Sequence, residues 1–147
     1  MYHLSESSMR RLAPCHNELR RLACEAIQTS PVDFAVICGL RTEEDQNKAF
    51  EEGHSSLRWP HSRHNRSTRP DGTFDYRRCD AMDIVPYPVE WPDKKADSAD
   101  EYARKLKRFV DVAAHILSTA KRLGIPIRWG GQFPTLFDPA HYERMAP

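Results

Sequence analysis

Apolar residues first recur at helical spacing at Leu19, Leu22, Ala23, Ala26 and Ile27, which predicts an amphipathic helix over residues 16–29. Ser30-Pro31 stops it, and Asp33–Cys38 follows as a short apolar strand. Thr42-x-x-Asp45 resembles a capping box for a helix over 43–52, with Gly53 placed to end it in the left-handed conformation. From His54 to Arg78 the periodicity dissolves into Ser, Arg, Pro and Asp-Gly, the signature of a long loop. Cys79–Val85 then alternates, with Ala81, Asp83 and Val85 on one face and Asp80, Met82 and Ile84 on the other. After Pro86, Pro88 and Pro92, Ser98-x-x-Glu101 opens a long helix that Gly124 can close, with Leu106, Val110, Ala113, Leu117 and Ala120 as its expected buried stripe. Ile125–Trp129 and His141–Met145 read as two further strands. The sum is an α+β domain, a few helices on a small antiparallel sheet.

Length and composition narrow the function classes. The chain has 147 residues, enough for one domain spanning 1–147 with a core that needs no disulfide staples. Its 22 Lys+Arg against 21 Asp+Glu argue against nucleic acid as a partner, which calls for a marked basic excess. No apolar run approaches the roughly 18 residues of a membrane span. Met1–Glu6 has neither a basic nor an apolar signal region, so synthesis in the cytoplasm without a secretory signal is expected. Cys15, Cys24, Cys38 and Cys79 show no C-x-x-C pair and are read as reduced thiols. Charge is uneven in one place: Arg58, Arg63, Arg66, Arg69, Arg77 and Arg78 crowd a stretch holding only Asp71 and Asp75. Pro70-Asp71-Gly72 suits a turn, so residues 65–78 are expected to project as a hairpin-like excursion.

Seven histidines are not alike. His115 falls off the expected stripe of the long helix and should face solvent. His3 and His16 lie near the N-terminus or a helix start, where exposure or capping explains them. His54, His61, His64 and His141 remain, in loops or at strand ends. Asp83 is informative because a carboxylate inside an apolar strand is costly to bury unless paired or metal-bound. An ion pair with a nearby arginine and a metal ligand both satisfy it. His64, Asp83 and His141 would supply two imidazoles and a carboxylate to zinc and leave a position for water, as hydrolytic sites require. His61, three residues before His64, is the competing ligand.

Four blocks in order give these residues a context. They are Asp33–Thr42 with Gln46, Ser62-Arg63-His64, Ala81-Met82-Asp83-Ile84, and Trp129-Gly130-Gly131 followed by Asp138-Pro-Ala-His141-Tyr-Glu143. Together they resemble the zinc LAS peptidases of bacterial cell walls, the D-Ala-D-Ala carboxypeptidases and dipeptidases and the phage L-alanyl-D-glutamate endopeptidases. The resemblance implies a hedgehog/DD-peptidase-like fold with one zinc ion per chain on His64, Asp83 and His141. It further implies Asp138 as general base and then acid and Arg41 at the oxyanion; Ser62 and Gln46 are read either as substrate-positioning residues or as structural hydrogen-bonders, and Glu143 either as a partner of a metal histidine or as an exposed strand residue. The Asp of D-x-x-H fits the endopeptidase branch, cutting the L-Ala–D-Glu bond of peptidoglycan stem peptides as a phage-type endolysin that is monomeric and reaches the wall when released. A D,D- or L,D-carboxypeptidase is the alternative, and Asp138 argues against a non-enzymatic zinc module of the same fold. The chain departs from the family in the separation of 19 from His64 to Asp83 and in Gln132, where many relatives carry Asp. A Cys79-ligated metal is a further, weaker variant, because Cys79 shares a strand face with Asp83.

Overall fold

The computed structural model describes residues 1–145; residues 146 and 147, the end of the expected domain, lie outside the described residues. Helices α1 (Glu6–Leu12) and α2 (Asn17–Thr29) precede strand β1 (Phe34–Cys38) and helix α3 (Glu43–Glu51). A small hairpin, β2 (Ser67–Thr68) and β3 (Phe74–Asp75), leads to β4 (Ala81–Pro86) and the long helix α4 (Ala99–Leu123). Strand β5 (Ile127–Trp129), a short 3-10 turn over Gly130–Gln132 and β6 (His141–Arg144) complete the chain. The main sheet has the order β1-β4-β6-β5 and is antiparallel throughout.

The expected start and stop signals operate. Thr42 and Ser98 accept hydrogen bonds from the backbone N–H groups of Asp45 and Glu101, capping α3 and α4. Gly53 and Gly124 close the same helices at φ 79° and 71°. His16 caps α2 by accepting from the N–H of Glu18. All five expected apolar positions of α2 are buried.

The phase of α4 differs from expectation. Phe109, Val112, Ala113, Ile116, Thr119 and Ala120 are buried, Val110 is exposed, and Leu117 packs only at the margin of the core. The helix carries apolar residues over nearly half its circumference, so periodicity cannot fix which edge of that wide stripe meets the sheet. With the phase shifted, His115 does not face solvent freely. Its Nε2 lies 2.9 Å from the Ala26 carbonyl and 3.3 Å from Thr29 Oγ1, tying α4 to α2.

Helix α1 has no apolar periodicity to announce it, and its role is to cover an edge. Strand β1 is a border strand, and the buried Ser8 Oγ accepts from the N–H of Val36 at 3.1 Å while Arg11 donates to the Val36 carbonyl at 3.3 Å. These contacts satisfy backbone groups that would otherwise offer a pairing edge.

The sheet divides its residues by alternation. Met82, Ile84, Tyr142 and Trp129 join the core beneath the helices. Asp83 pairs with His141, and Glu143 with both Ala81 and Arg128, so these residues share the opposite face. A register shift between Val36 and Cys38 sets Cys38, rather than Ile37, opposite Asp83. Such bulges re-aim side chains beside functional sites.

A candidate metal centre

Three side chains converge on this second face of the sheet. His64 Nε2 lies 3.2 Å from Asp83 Oδ1 and 3.2 Å from His141 Nδ1, and His141 Nδ1 lies 3.4 Å from Asp83 Oδ1. Asp83 and His141 come from paired strands, whereas His64 arrives from the loop after α3. The other imidazole nitrogens are held away from the triangle. His64 Nδ1–H donates to the Gly39 carbonyl at 2.8 Å, and His141 Nε2–H donates to Glu143 Oε1 at 2.9 Å. That fixes the tautomers and turns one lone pair from each ring toward Asp83 Oδ1.

Two lone pairs and a carboxylate oxygen at this spacing repel one another unless a shared proton or a metal ion lies between them. Donors about 2.0–2.1 Å from a tetrahedral zinc ion stand about 3.3 Å apart, which is the size of this triangle. The donor set and its dimensions fit zinc. Burial opposes charge on every member of the cluster. In Asp83 that penalty is outweighed by His64 and His141, which hold its carboxyl far below the usual carboxylate range. In His64 and His141 it is outweighed chiefly by Asp83, so both imidazoles are raised. His61 stands outside the triangle, exposed at the rim of the neighbouring cavity.

Arg41 reaches the cluster from the other side. Its Nη2 lies 3.6 Å from Asp83 Oδ2, and its Nη1 donates to Gln46 Oε1 at 2.9 Å. Gln46 is fully buried, and its amide nitrogen donates to Ser55 Oγ and the Leu57 carbonyl. It therefore holds Arg41 in place rather than facing a ligand. Ser62 is also buried, its hydroxyl accepting from the N–H of His64 at 3.2 Å. Gln46 thus makes the hydrogen bonds of a structural residue, while Ser62 orients the His64 backbone and also lines the neighbouring cavity.

Asp138 lies beside the triangle without belonging to it. Its carboxylate and the donor atoms of Asp83 and His141 lie within 4.8 Å of one another. Burial, reinforced by the negative charge of Asp83, raises its carboxyl above the ordinary value. The Trp-Gly-Gly segment sets this position. The buried Trp129 donates its indole N–H to the Pro139 carbonyl at 2.8 Å, and the Gly130 carbonyl accepts from the N–H of Asp138 at 3.1 Å. A Cβ on Gly130 would lie 2.3 Å from the Asp138 carbonyl oxygen, so a side chain there would push the Asp138–His141 segment off the turn.

Sequence reasoning placed the possible thiol at Cys79, and the structure moves it. Cys79 precedes β4 and turns into the core, its Sγ 3.4 Å from that of Cys15. Cys38 lies near the centre instead, 3.9 Å from His64 Nδ1 and 3.8 Å from Arg41 Nη2. No sequence signal announces it, because its placement depends on the bulge in β1. Gln132 is exposed at the end of the 3-10 turn.

Two cavities meet at the centre, sharing Arg41, His54, Leu136 and Asp138. One, of about 830 Å³, has Ile37, Trp91, Tyr102, Leu106 and Phe137 in its walls. The other, of about 400 Å³, has His61, Arg63, Arg128 and Glu143. A chain of substrate could therefore lie across the centre and continue on both sides.

The comparisons with known proteins agree in direction. Residues 1–140 match the family model described as phage L-alanyl-D-glutamate peptidase. The chain is 27% identical over 135 residues to the L-alanyl-D-glutamate peptidase of Escherichia phage T5, covering 90% of this chain and 82% of that protein. Its fold superposes on the crystal structure of the L-Ala D-Glu endopeptidase ChiX of Serratia marcescens with a TM-score of 0.70 and 24% identity, over 97% of this chain and 90% of the other.

Proposed function

Because the chain belongs to the phage L-alanyl-D-glutamate peptidase family, it is a peptidoglycan peptidase, and we propose that it cuts the L-Ala–D-Glu bond of stem peptides with one zinc ion held by His64, Asp83 and His141. The observation that carries this reading is the triangle of donors with 3.2, 3.2 and 3.4 Å edges, whose histidines each have their second nitrogen tied back. Zinc bound there supplies Lewis acidity and lowers the pKa of a coordinated water toward neutrality. The remaining chemistry belongs to the protein. Asp138, with its carboxyl raised, is suited to take a proton from the attacking water and return it to the departing amine, a role typically worth about 10²–10⁴ in rate. Arg41, oriented by Gln46, offers its guanidinium to the developing oxyanion, a contribution of about 3 kcal/mol in comparable sites. Glu143 keeps His141 in the metal-binding tautomer.

A cleft open on both sides of Asp138 suits an endopeptidase, since a carboxypeptidase needs a wall where its substrate ends. Among the described residues no helix is long and apolar enough to cross a membrane. Digestion of purified muropeptides followed by mass spectrometry tests the reading. A new D-Glu N-terminus is expected, together with one equivalent of zinc by elemental analysis. Asp138→Asn should keep the fold and the zinc and lose the cleavage. Release of D-Ala by the native protein would assign it to the carboxypeptidases instead, and near-native turnover by Asp138→Asn would reduce Asp138 to a turn residue.

A further inference from the structure

The two arms of the cleft differ in chemistry, and the difference gives the substrate a direction. In the larger arm Lys94 is the only cation not shared with its neighbour, and the walls are mostly apolar. The smaller arm is lined by the guanidinium groups of Arg41, Arg63 and Arg128 together with the carboxylates of Asp138 and Glu143. Most of these charges are already committed. Glu143 Oε2 accepts from Arg63 Nε at 2.7 Å and Arg128 Nη2 at 3.3 Å, while Oε1 holds His141. Arg63 also donates to the Arg144 carbonyl at 2.7 Å.

Arg128 is different. Its guanidinium is fixed by Glu143 on one side and by the face of Phe133, 4.7 Å from the ring centroid, on another. Its side chain is nonetheless 55% exposed, and its other N–H groups have no acceptor among the described residues. It is a pre-oriented cation with spare donors in the wall of the cleft, one side chain removed from His141.

The substrate supplies a matching group. A stem-peptide D-Glu is linked through its γ-carboxyl, so its α-carboxylate is free on the carbon bonded to the scissile nitrogen. That anion must sit close to the metal centre whichever way the peptide lies, and a fixed guanidinium is the side chain best suited to recognise it. We propose that Arg128 binds the free α-carboxylate of D-Glu, so that the basic arm takes the amine half of the substrate and the apolar arm takes the L-Ala half. The proposal rests on the L-Ala–D-Glu reading above and adds a specificity-determining residue to it.

Two soluble peptides test it, L-Ala-γ-D-Glu-L-Lys and its D-isoglutamine counterpart, each amidated at the lysine carboxyl so that the D-Glu α-carboxylate is the only difference. The native enzyme should prefer the acid by about ten- to a hundredfold in kcat/KM, expressed mainly in KM. Arg128→Ala should abolish the preference, losing kcat/KM on the acid peptide about ten- to a hundredfold more than on the isoglutamine peptide, and Arg128→Lys should restore part of it. Zinc content and circular dichroism should be unchanged in both variants. Equal cleavage of the two peptides by the native enzyme would overturn the proposal. So would a parallel loss on both peptides in Arg128→Ala, which would assign the residue to holding Glu143. If the native enzyme leaves both bonds intact but digests other muropeptides, the L-Ala–D-Glu reading itself fails.

Discussion

Asp80 is the residue whose loss should be felt furthest from where it stands. It is 1% exposed, and its carboxylate accepts from Ser67 Oγ at 2.8 Å, the Thr68 N–H at 2.9 Å and Arg144 Nε at 3.3 Å. The Arg144 side chain is itself 6% exposed, and its second carboxylate, Glu18, lies 3.8 Å away. Asp80→Ala therefore leaves a buried guanidinium with only a distant counter-charge and strips an acceptor from the backbone of β2. Breaking a buried pair by removing one partner costs about 3–5 kcal/mol, a large part of the roughly 5–15 kcal/mol that holds a domain of this size together. At about 3 °C per kcal/mol the melting temperature should fall by about 9–15 °C. Urea denaturation of native and Asp80→Ala protein measures the loss directly, and Asp80→Asn, which keeps the shape, should cost less. The double variant Asp80→Ala/Arg144→Met should regain part of the loss, since it removes the stranded charge as well. A loss below about 1 kcal/mol in Asp80→Ala would refute the argument, and so would a double variant less stable than the single one.

Glu143→Gln should weaken zinc binding by about ten- to a hundredfold in chelator competition, because the second nitrogen of His141 loses its charged acceptor. Tyr142→Phe should leave stability unchanged or raise it by about 1 kcal/mol in thermal unfolding, since the Tyr142 hydroxyl is buried with no hydrogen-bond partner among the described residues. Replacing Pro70–Tyr76 with a short glycine turn should preserve folding and zinc content by circular dichroism and elemental analysis. The tip bonds mainly to itself, through Asp71 with Thr73 and Asp75 with Arg69 and Arg77.

What the sequence made legible and what it hid follow from the range of each interaction. Caps and helix ends are local, and Thr42, Ser98, Gly53 and Gly124 act where their neighbours in the chain say they should. The faces of β4 were legible for the same reason, since alternation places Asp83 opposite Met82 and Ile84 whatever the partner strand. The phase of α4, the edge-covering role of Ser8 and the position of Cys38 depend on contacts made across the fold. Gln46 shows a subtler limit. A glutamine five residues past Arg41 can reach either a substrate or the arginine, and only the burial of its amide among Ser55, Leu57 and Asn65 decides between them.

The step of 19 residues from His64 to Asp83 brings both to the candidate centre although a hairpin lies between them. The N–H of Asp80 donates to the carbonyls of both Arg63, at 2.9 Å, and Arg66, at 3.1 Å. The segment thus leaves and re-enters the domain at nearly the same point. Beyond that junction, added residues change only the closure entropy of the loop, which grows slowly with length. The arginines of the stretch are also placed by local partners. Arg66 stacks on Phe74, 3.7 Å from the ring centroid; Arg69 and Arg77 meet Asp75; and Arg78 donates to Cys15 and Asn17. They hold the hairpin and its junction, yet Arg77 stays 89% exposed and shares Asp75 with Arg69, so the stretch keeps a positive excess.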